Sequence, residues 1–170
     1  METKQFLRSV LPSEGSYCVL GISPDKPIIQ RFYETIDSAA DAALDLNKKG
    51  LNSYFALSSF QDSSSRTTKN SAYTHAFFLD LDCGERATKS KTAVKPFPTQ
   101  AAAIKALQKF CKDVGVPKPT IIVNSGRGLH VYWVLDKNYT YAEWHPVAVK
   151  LNSTCLANGL GVDSMVTADA

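Results

Sequence analysis

The stretch that decides the fold is N-S-G-R-G-L-H-V-Y-W, residues 124–133. An apolar run precedes a turn with two glycines, and a second apolar run follows over 129–135. Because side chains alternate between the two faces of a strand, His130 and Tyr132 share one face, and Trp133 takes the other, toward a core. The pattern predicts two strands joined by a tight, glycine-containing turn.

The side chains of this turn suit a phosphate-bearing ligand. Gly126 and Gly128 allow positive φ and a close approach of backbone to ligand. Ser125 offers a hydroxyl group, and the guanidinium of Arg127 matches phosphate oxygens. With His130 on the following strand, the stretch predicts a cradle for a triphosphate. The alternative is an ordinary hairpin turn followed by a surface histidine, because a glycine turn alone is a weak signal.

Upstream, A-F-F-L-D-L-D over residues 76–82 predicts a strand that ends in carboxylates. Residues i and i+2 share a face, so Asp80 and Asp82 point the same way while Leu79 and Leu81 point into the core. Two such carboxylates repel unless a cation lies between them, and oxygen ligands suit hard divalent ions. The alternative is a pair of solvated aspartates at a strand end.

The rest of the chain alternates short strands with amphipathic helices, which predicts an α+β fold: a mixed, largely antiparallel sheet with packed helices. The 170 residues fit a single domain. Thr35 or Asp37 is the expected cap of one helix, and Thr99 of another. The predicted helices span 5–10, 35–49, 99–114 and 141–158, and the predicted strands span 17–22, 28–34, 53–58, 76–82, 120–124, 129–135 and 160–162.

Together these motifs resemble the archaeo-eukaryotic primase superfamily, in particular the primase-polymerase domains of phages and mobile elements. That family carries D-x-D at a strand end, then a Ser/Gly motif ending in His on a strand hairpin, then a later acidic residue. The corresponding segments are F-L-D-L-D at 78–82, S-G-R-G-L-H-V-Y-W at 125–133 and G-V-D at 161–163. The resemblance covers residues 76–170 and implies a catalytic sheet similar to an RNA-recognition motif, with residues 1–75 as an N-terminal α/β part.

The resemblance implies a nucleotidyltransferase that synthesises and extends primers on a single-stranded DNA template, with NTP or dNTP as substrate and two Mg²⁺ or Mn²⁺ ions as cofactors. It assigns the metal ions to Asp80, Asp82 and Asp163. His130 is assigned to the phosphates of the incoming nucleotide and counts with the three acids as catalytic. A replicative helicase and a location in the bacterial host cytoplasm are implied as well. The remaining nucleotide-binding residues are Ser125, Gly126, Arg127 and Gly128.

The chain departs from the family pattern in three places. Many members have a serine two residues before the histidine, where this chain has Gly128. Asp169 competes with Asp163 as the third acidic residue. The family's usual Arg-rich continuation is absent after Ala170, which predicts a C-terminally truncated catalytic domain.

Composition sets outer limits on function. The formal net charge is +3, which permits nucleic-acid binding without arguing for it. The four cysteines have no C-x-x-C spacing, which disfavours a zinc ribbon, and no apolar run is long enough to span a membrane. Candidate contacts to nucleic acid are Lys89, Lys91 and Lys95, with the weaker candidates Arg66, Lys105, Lys109, Lys112, Tyr54, Phe55 and Tyr132.

Three other functions stay open from the sequence. A non-catalytic module for single-stranded nucleic acid would use aromatic stacking and would not need Asp80 and Asp82 together. A metal-dependent nuclease would use D-x-D without a triphosphate cradle. An inactive, truncated relative would serve only in assembly of a replication complex.

Overall fold

The computed structural model describes residues 1–84 and 96–163. Over these residues the chain is α+β, as the sequence predicts. The bounds of its helices, strands and one 3-10 turn are α1 Thr3–Val10, β1 Ser16–Ser23, β2 Lys26–Tyr33, α2 Ile36–Lys48, β3 Asn52–Phe60, the 3-10 turn Thr68–Asn70, β4 Tyr73–Asp82, α3 Gln100–Val114, β5 Ile121–Asn124, β6 Gly128–Thr140 and α4 Tyr141–Ala157.

The chain divides into two compact units. The first unit consists of Met1–Ala76 with Leu135–Trp144, and the second of Phe77–Val134 with the described residues from His145 onward. The division falls inside β4, β6 and α4, so each of these elements runs from one unit into the other. The predicted single catalytic domain, with its N-terminal part over 1–75, stays a prediction.

The first unit contains an antiparallel sheet in the order β2-β1-β3. Gly21 of the central strand lies against α2, because a Cβ there would stand 3.0 Å from Cδ2 of Leu46. Thr35 caps α2, and its hydroxyl oxygen accepts a hydrogen bond from the Ser38 amide at 3.1 Å. The cap is therefore the first of the two predicted residues, while Asp37 pairs with the guanidinium of Arg8.

The second unit contains a sheet in the order β4-β6-β5, with β5 and β6 antiparallel. Its core contains alternate residues of β4 and β6, on the face that the sequence predicts to be buried. These residues pack against one side of α3 and against residues near the C-terminal end of α4. The buried members are Leu79, Leu81, Ala103, Leu107, Phe110, Cys111, Leu129, Val131, Trp133, Cys155, Leu160 and Val162.

Helix α3 begins and ends where its sequence indicates. The Thr99 hydroxyl accepts a hydrogen bond from the Ala102 amide at 3.1 Å, which satisfies one of the free donors at the helix start. Gly115 follows the last turn with φ +76°, a left-handed conformation that favours glycine. Both predicted ends are confirmed, and the helix presents a fixed first turn to the neighbouring strands.

Strand β6 is longer than the predicted 129–135 and continues to Thr140. The polar residues after Leu135 give no strand signal in the sequence, yet the strand continues through them and makes tertiary hydrogen bonds. Nδ2 of the Asn138 side chain donates to Oγ of Ser13 at 3.0 Å, and the Tyr139 carbonyl accepts from Oγ1 of Thr74 at 3.5 Å.

Two further expectations need correction. Residues 160–162, predicted to start a strand, have no regular secondary structure; Leu160 and Val162 instead pack into the core cluster. The predicted buried strand over 120–124 is only partly buried, with Ile122 44% exposed. The reason is its place at one end of the sheet order, where it spans only Ile121–Asn124. In the described part of the chain, no helix is long and apolar enough to cross a membrane.

Candidate functional site

Strand β4 carries the two acidic residues on the face opposite the core. Leu79 and Leu81 are fully buried, whereas Asp80 and Asp82 are partly exposed. This alternation is the one the sequence predicts, and it follows from the two-residue period of a strand. The carboxylates of Asp80 and Asp82 therefore leave the sheet from the same face at the C-terminal end of β4.

His130 of β6 lies beside the first of these acids. Its Nε2 is 3.9 Å from Oδ1 of Asp80. Phe78 lies on the same face. Its ring is edge-on to the His130 imidazole, with 5.4 Å between the ring centroids, and is tilted relative to the Tyr132 ring at 5.1 Å. The structure thus brings together the D-x-D strand and the histidine that the sequence pairs only by motif order.

The turn between β5 and β6 forms a compact loop, here named the glycine loop, residues 124–128. Oδ1 of Asn124 accepts a hydrogen bond from the Gly126 amide at 2.8 Å, and the Ser125 amide donates to the Gly128 carbonyl at 3.1 Å. Gly126 has φ +87°, which explains the glycine there. Ser125, Gly126 and Arg127 are exposed and available to a ligand.

Gly128 lies against the backbone of β4, and its predicted contact with a ligand stays a prediction. A Cβ at this position would stand 2.5 Å from the carbonyl oxygen of Leu81 and 3.3 Å from Cα of Asp82. Close approach of two backbones therefore excludes a side chain at residue 128. The Cys83 amide also donates to the Arg127 carbonyl at 2.8 Å. These contacts place the glycine loop beside the end of β4 that carries Asp82.

The third predicted acid, Asp163, lies next to β4. Its amide donates a hydrogen bond to the carbonyl of Asp80 at 3.2 Å, so the residue is brought to the same strand although 160–162 is not a strand. Its competitor, Asp169, lies outside the described residues. No group of three His, Cys, Asp or Glu side chains within 1–84 and 96–163 is arranged to hold a metal ion.

The charge of the aspartates affects neighbouring groups. Burial, followed by Asp82 and Asp80, raises the pKa of the Cys83 thiol. Burial and then Asp80 raise the pKa of the Tyr132 hydroxyl. In both cases burial is the larger cause and the charge of the aspartates the smaller one. Carboxylate oxygens are the ligands that hard divalent cations take. The oxygen donors of Asp80 and Asp82 fit Mg²⁺ or Mn²⁺ chemically, with further ligands needed from outside this pair.

The weaker candidates for contact with nucleic acid differ in their exposure. Tyr132 is 2% exposed and its ring packs against Phe78, so the expectation that it stacks on bases is wrong. Phe55 packs edge-on against Phe6 at 5.9 Å, whereas Tyr54 is 51% exposed. Arg66, Lys105, Lys109 and Lys112 are exposed, and Lys109 pairs with Asp113. Lys89, Lys91 and Lys95 lie outside the described residues.

Sequence reasoning missed the residues that support this site. From the sequence, Asn124 is only the last residue of a predicted strand, although an Asn directly before a glycine turn signals a side-chain hydrogen bond to the turn. From the sequence, Phe78 is only one of several apolar residues in the predicted strand, although its spacing from Asp80 places both on one face. Gln100, at the start of α3, gave no signal because its partners are distant in sequence.

The sequence matches no protein-family model and has no significant match among curated proteins. The fold is of the archaeo-eukaryotic primase type. A similar solved structure is the archaeo-eukaryotic primase domain of the primase-polymerase of cyanophage S-2L, with TM-score 0.54 and 16% sequence identity. The similarity covers 91% of this chain and 70% of that chain. At this identity it defines the fold, and function has to be argued from the site.

Proposed function

We propose that this chain is a metal-dependent nucleotidyltransferase that extends a primer on a nucleic-acid template. The observation that carries the proposal is the 3.9 Å separation of His130 Nε2 and Asp80 Oδ1, on the face that also bears Asp82. The glycine loop lies beside the same strand end through the hydrogen bond from Cys83 to Arg127. The fold it shares with a phage primase-polymerase domain supports this proposal.

In this proposal Asp80 and Asp82 hold Mg²⁺ or Mn²⁺, and Asp163, beside β4, is the third acidic residue. When bound, such ions polarise the primer hydroxyl and stabilise the charge of the leaving pyrophosphate. The carboxylates contribute the negative charge that retains cations at the C-terminal end of β4. Their own mutual repulsion is relieved when the cations bind.

The glycine loop and His130 hold the triphosphate. Arg127 offers paired donors to phosphate oxygens, Ser125 offers a hydroxyl, and His130 contacts the phosphates from the adjacent strand. The 3′-oxygen of the primer forms a bond to the α-phosphorus, the bond from that phosphorus to the bridging oxygen breaks, and pyrophosphate leaves. The hydroxyl proton passes to solvent. The protein contributes chiefly positioning and charge stabilisation.

Replacement of either strand acid tests the proposal. Asp80→Ala or Asp82→Ala should reduce templated incorporation of a labelled nucleotide with Mn²⁺ to below about a hundredth of the wild-type rate, because the cation loses a ligand. Circular dichroism should remain unchanged. Asp25→Asn, an exposed acid in the turn between β1 and β2, is the matched control and should retain full activity.

The assay also separates the competing functions. Calorimetry of dNTP binding with and without Mn²⁺ should give metal-dependent binding that Asp80→Ala abolishes. A nuclease would instead degrade the template with the same Mn²⁺ dependence and without dNTP binding. A non-catalytic binding module would bind single-stranded DNA equally well in the wild type and in Asp80→Ala. Normal primer extension by Asp80→Ala would refute the proposed function.

A further inference from the structure

We infer that Gln100 is a positioning residue that fixes the shape of the glycine loop and thereby the triphosphate site. Gln100 acts on the loop through hydrogen bonds to Asn124 and Gly128. Its effect on nucleotide binding rests on the proposed function. Its effect on the loop itself does not, and the two can be measured separately.

The amide of Gln100 joins the two ends of the glycine loop. Its Nε2 donates to Oδ1 of Asn124 at 2.7 Å and to the Gly128 carbonyl at 3.2 Å. A primary amide has two N–H donors, so one group satisfies both acceptors. Because the ends of the loop are tied to the same side chain, the loop between them is restrained across its base as well as along its backbone.

The hydrogen-bond network fixes the orientation of this amide. Oδ1 of Asn124 already accepts from the Gly126 amide at 2.8 Å, so that atom is an acceptor. The Gly128 carbonyl is an acceptor as well. Only the nitrogen of the Gln100 side chain can face both, and the reversed amide would place its oxygen against two oxygens. Asn124 is in turn held in the orientation that supports Gly126.

Gln100 itself is held at the end of β4. It is the first residue of α3, whose start is fixed by the Thr99 cap. Three residues earlier, the Phe97 amide donates to the Asp82 carbonyl at 2.8 Å. The glycine loop is therefore joined to the Asp82 end of β4 by two routes, the backbone bond from Cys83 to Arg127 and the side chain of Gln100. Loss of the second route should leave the fold intact and loosen the loop.

The test compares one substitution at two places on α3. Gln100→Met keeps the length of the side chain and removes both donors. Gln108→Met is the control, because Gln108 is exposed on the same helix. The first readout is amide hydrogen exchange by NMR, without nucleotide or metal. The Gly126 amide should exchange about tenfold faster in Gln100→Met than in wild type, the scale of one lost hydrogen bond. Gln108→Met should match wild type.

The second readout is nucleotide affinity. In Gln100→Met the KM for dNTP should rise about tenfold with kcat nearly unchanged, as expected when loop order is lost rather than a reacting group. Gln100→Glu, which sets a carboxylate against two acceptor oxygens, should have a larger effect. Equal Gly126 exchange in the two Met variants would overturn the inference about Gln100. Absence of Mn²⁺-dependent nucleotide binding by the wild type would instead overturn the proposed function.

Discussion

At the scale of single residues, position 128 shows how an active-site motif is shaped by its neighbours. The S-G-R-G motif suggests that its glycines serve ligand binding. A Cβ atom at Gly128, however, would stand only 2.5 Å from the carbonyl oxygen of Leu81. The glycine lets β6 approach the D-x-D strand closely enough for His130 and Asp80 to meet. A structural requirement thus lies within a motif that otherwise consists of candidate ligand contacts.

Gly128→Ala should lower the free energy of unfolding by about 2–3 kcal/mol, because backbone atoms cannot move aside as a flexible side chain can. Urea denaturation measures this change. Gly21→Ala is the matched control: its obstacle is the tip of Leu46 at 3.0 Å, which can rotate away, and its cost should stay under about 1 kcal/mol. Equal stability of Gly128→Ala and wild type would show that the two strands can separate without penalty.

At the scale of elements, α4 begins with a reciprocal cap. The Thr140 amide and hydroxyl donate to Oε2 of Glu143 at 2.9 and 2.7 Å, and the Glu143 amide donates back to the Thr140 hydroxyl at 3.4 Å. The T-Y-A-E sequence has the spacing of a capping box. Trp144 follows directly, and its Nε1 donates to the Ala76 carbonyl at 3.0 Å. The cap thus fixes the turn from which a fully buried tryptophan extends.

This cap makes part of the stability depend on pH. Hydrogen bonds from the Thr140 side chain and then its backbone lower the pKa of Glu143. A lowered folded-state pKa stabilises the protein above the unfolded-state pKa, and this contribution disappears as pH falls through the folded-state value. Urea midpoints of wild type and Glu143→Ala should therefore differ at about pH 7 and converge toward about pH 3. A difference that grew on acidification would contradict the capping role.

Removal of the hydroxyl gives a second measure of the same cap. Thr140→Ala should cost about 1 kcal/mol at neutral pH, the usual scale of a lost N-terminal cap. Thr140→Ser should recover most of that loss, because the serine hydroxyl can make the same bonds. Failure of serine to recover stability would assign the effect to the threonine methyl group instead.

At the scale of the whole molecule, the features that depend on residues close together in the chain were predicted correctly from the sequence. The caps of α2 and α3, the alternation along β4 and the core side of Trp133 all depend on residues within one turn or one strand. The errors arose where distant contacts decide. Asp136 to Thr140 lack a strand pattern, yet they continue β6 and make hydrogen bonds to distant residues. Residues 160–162 pack as core without pairing as a strand.

The candidate site divides in the same way. The sequence identified Asp80, Asp82 and His130 from spacing and motif order. It could not identify Gln100, because nothing near residue 100 indicates that its amide reaches the loop 24 residues later along the chain. It also left Tyr132 open as a weaker candidate for base stacking, although the Phe78 ring already occupies that side. Contacts between elements, rather than patterns within them, determine these roles.

The cysteines allow cooperativity between the two units to be measured. Burial raises the pKa of Cys18, in the first unit, to about 11 and that of Cys155, in the second, to about 12. Neither thiol should react with iodoacetamide at about pH 8 while folded. Because β4, β6 and α4 run through both units, both thiols should become reactive at the same urea concentration. Two separate midpoints would show that the units unfold independently.

The backbone beside Asp82 also closes on itself. The Gly84 amide donates to the Phe97 carbonyl at 2.8 Å, and Cys83 and Phe97 form a parallel bridge. The Asp82 carbonyl accepts from the Phe97 amide, and the Cys83 amide donates to the Arg127 carbonyl, both at 2.8 Å. The main chain at Asp82 and at the two residues after it is therefore fastened to partners distant in sequence. An acid on such a backbone has little freedom to drift when the charge beside it changes.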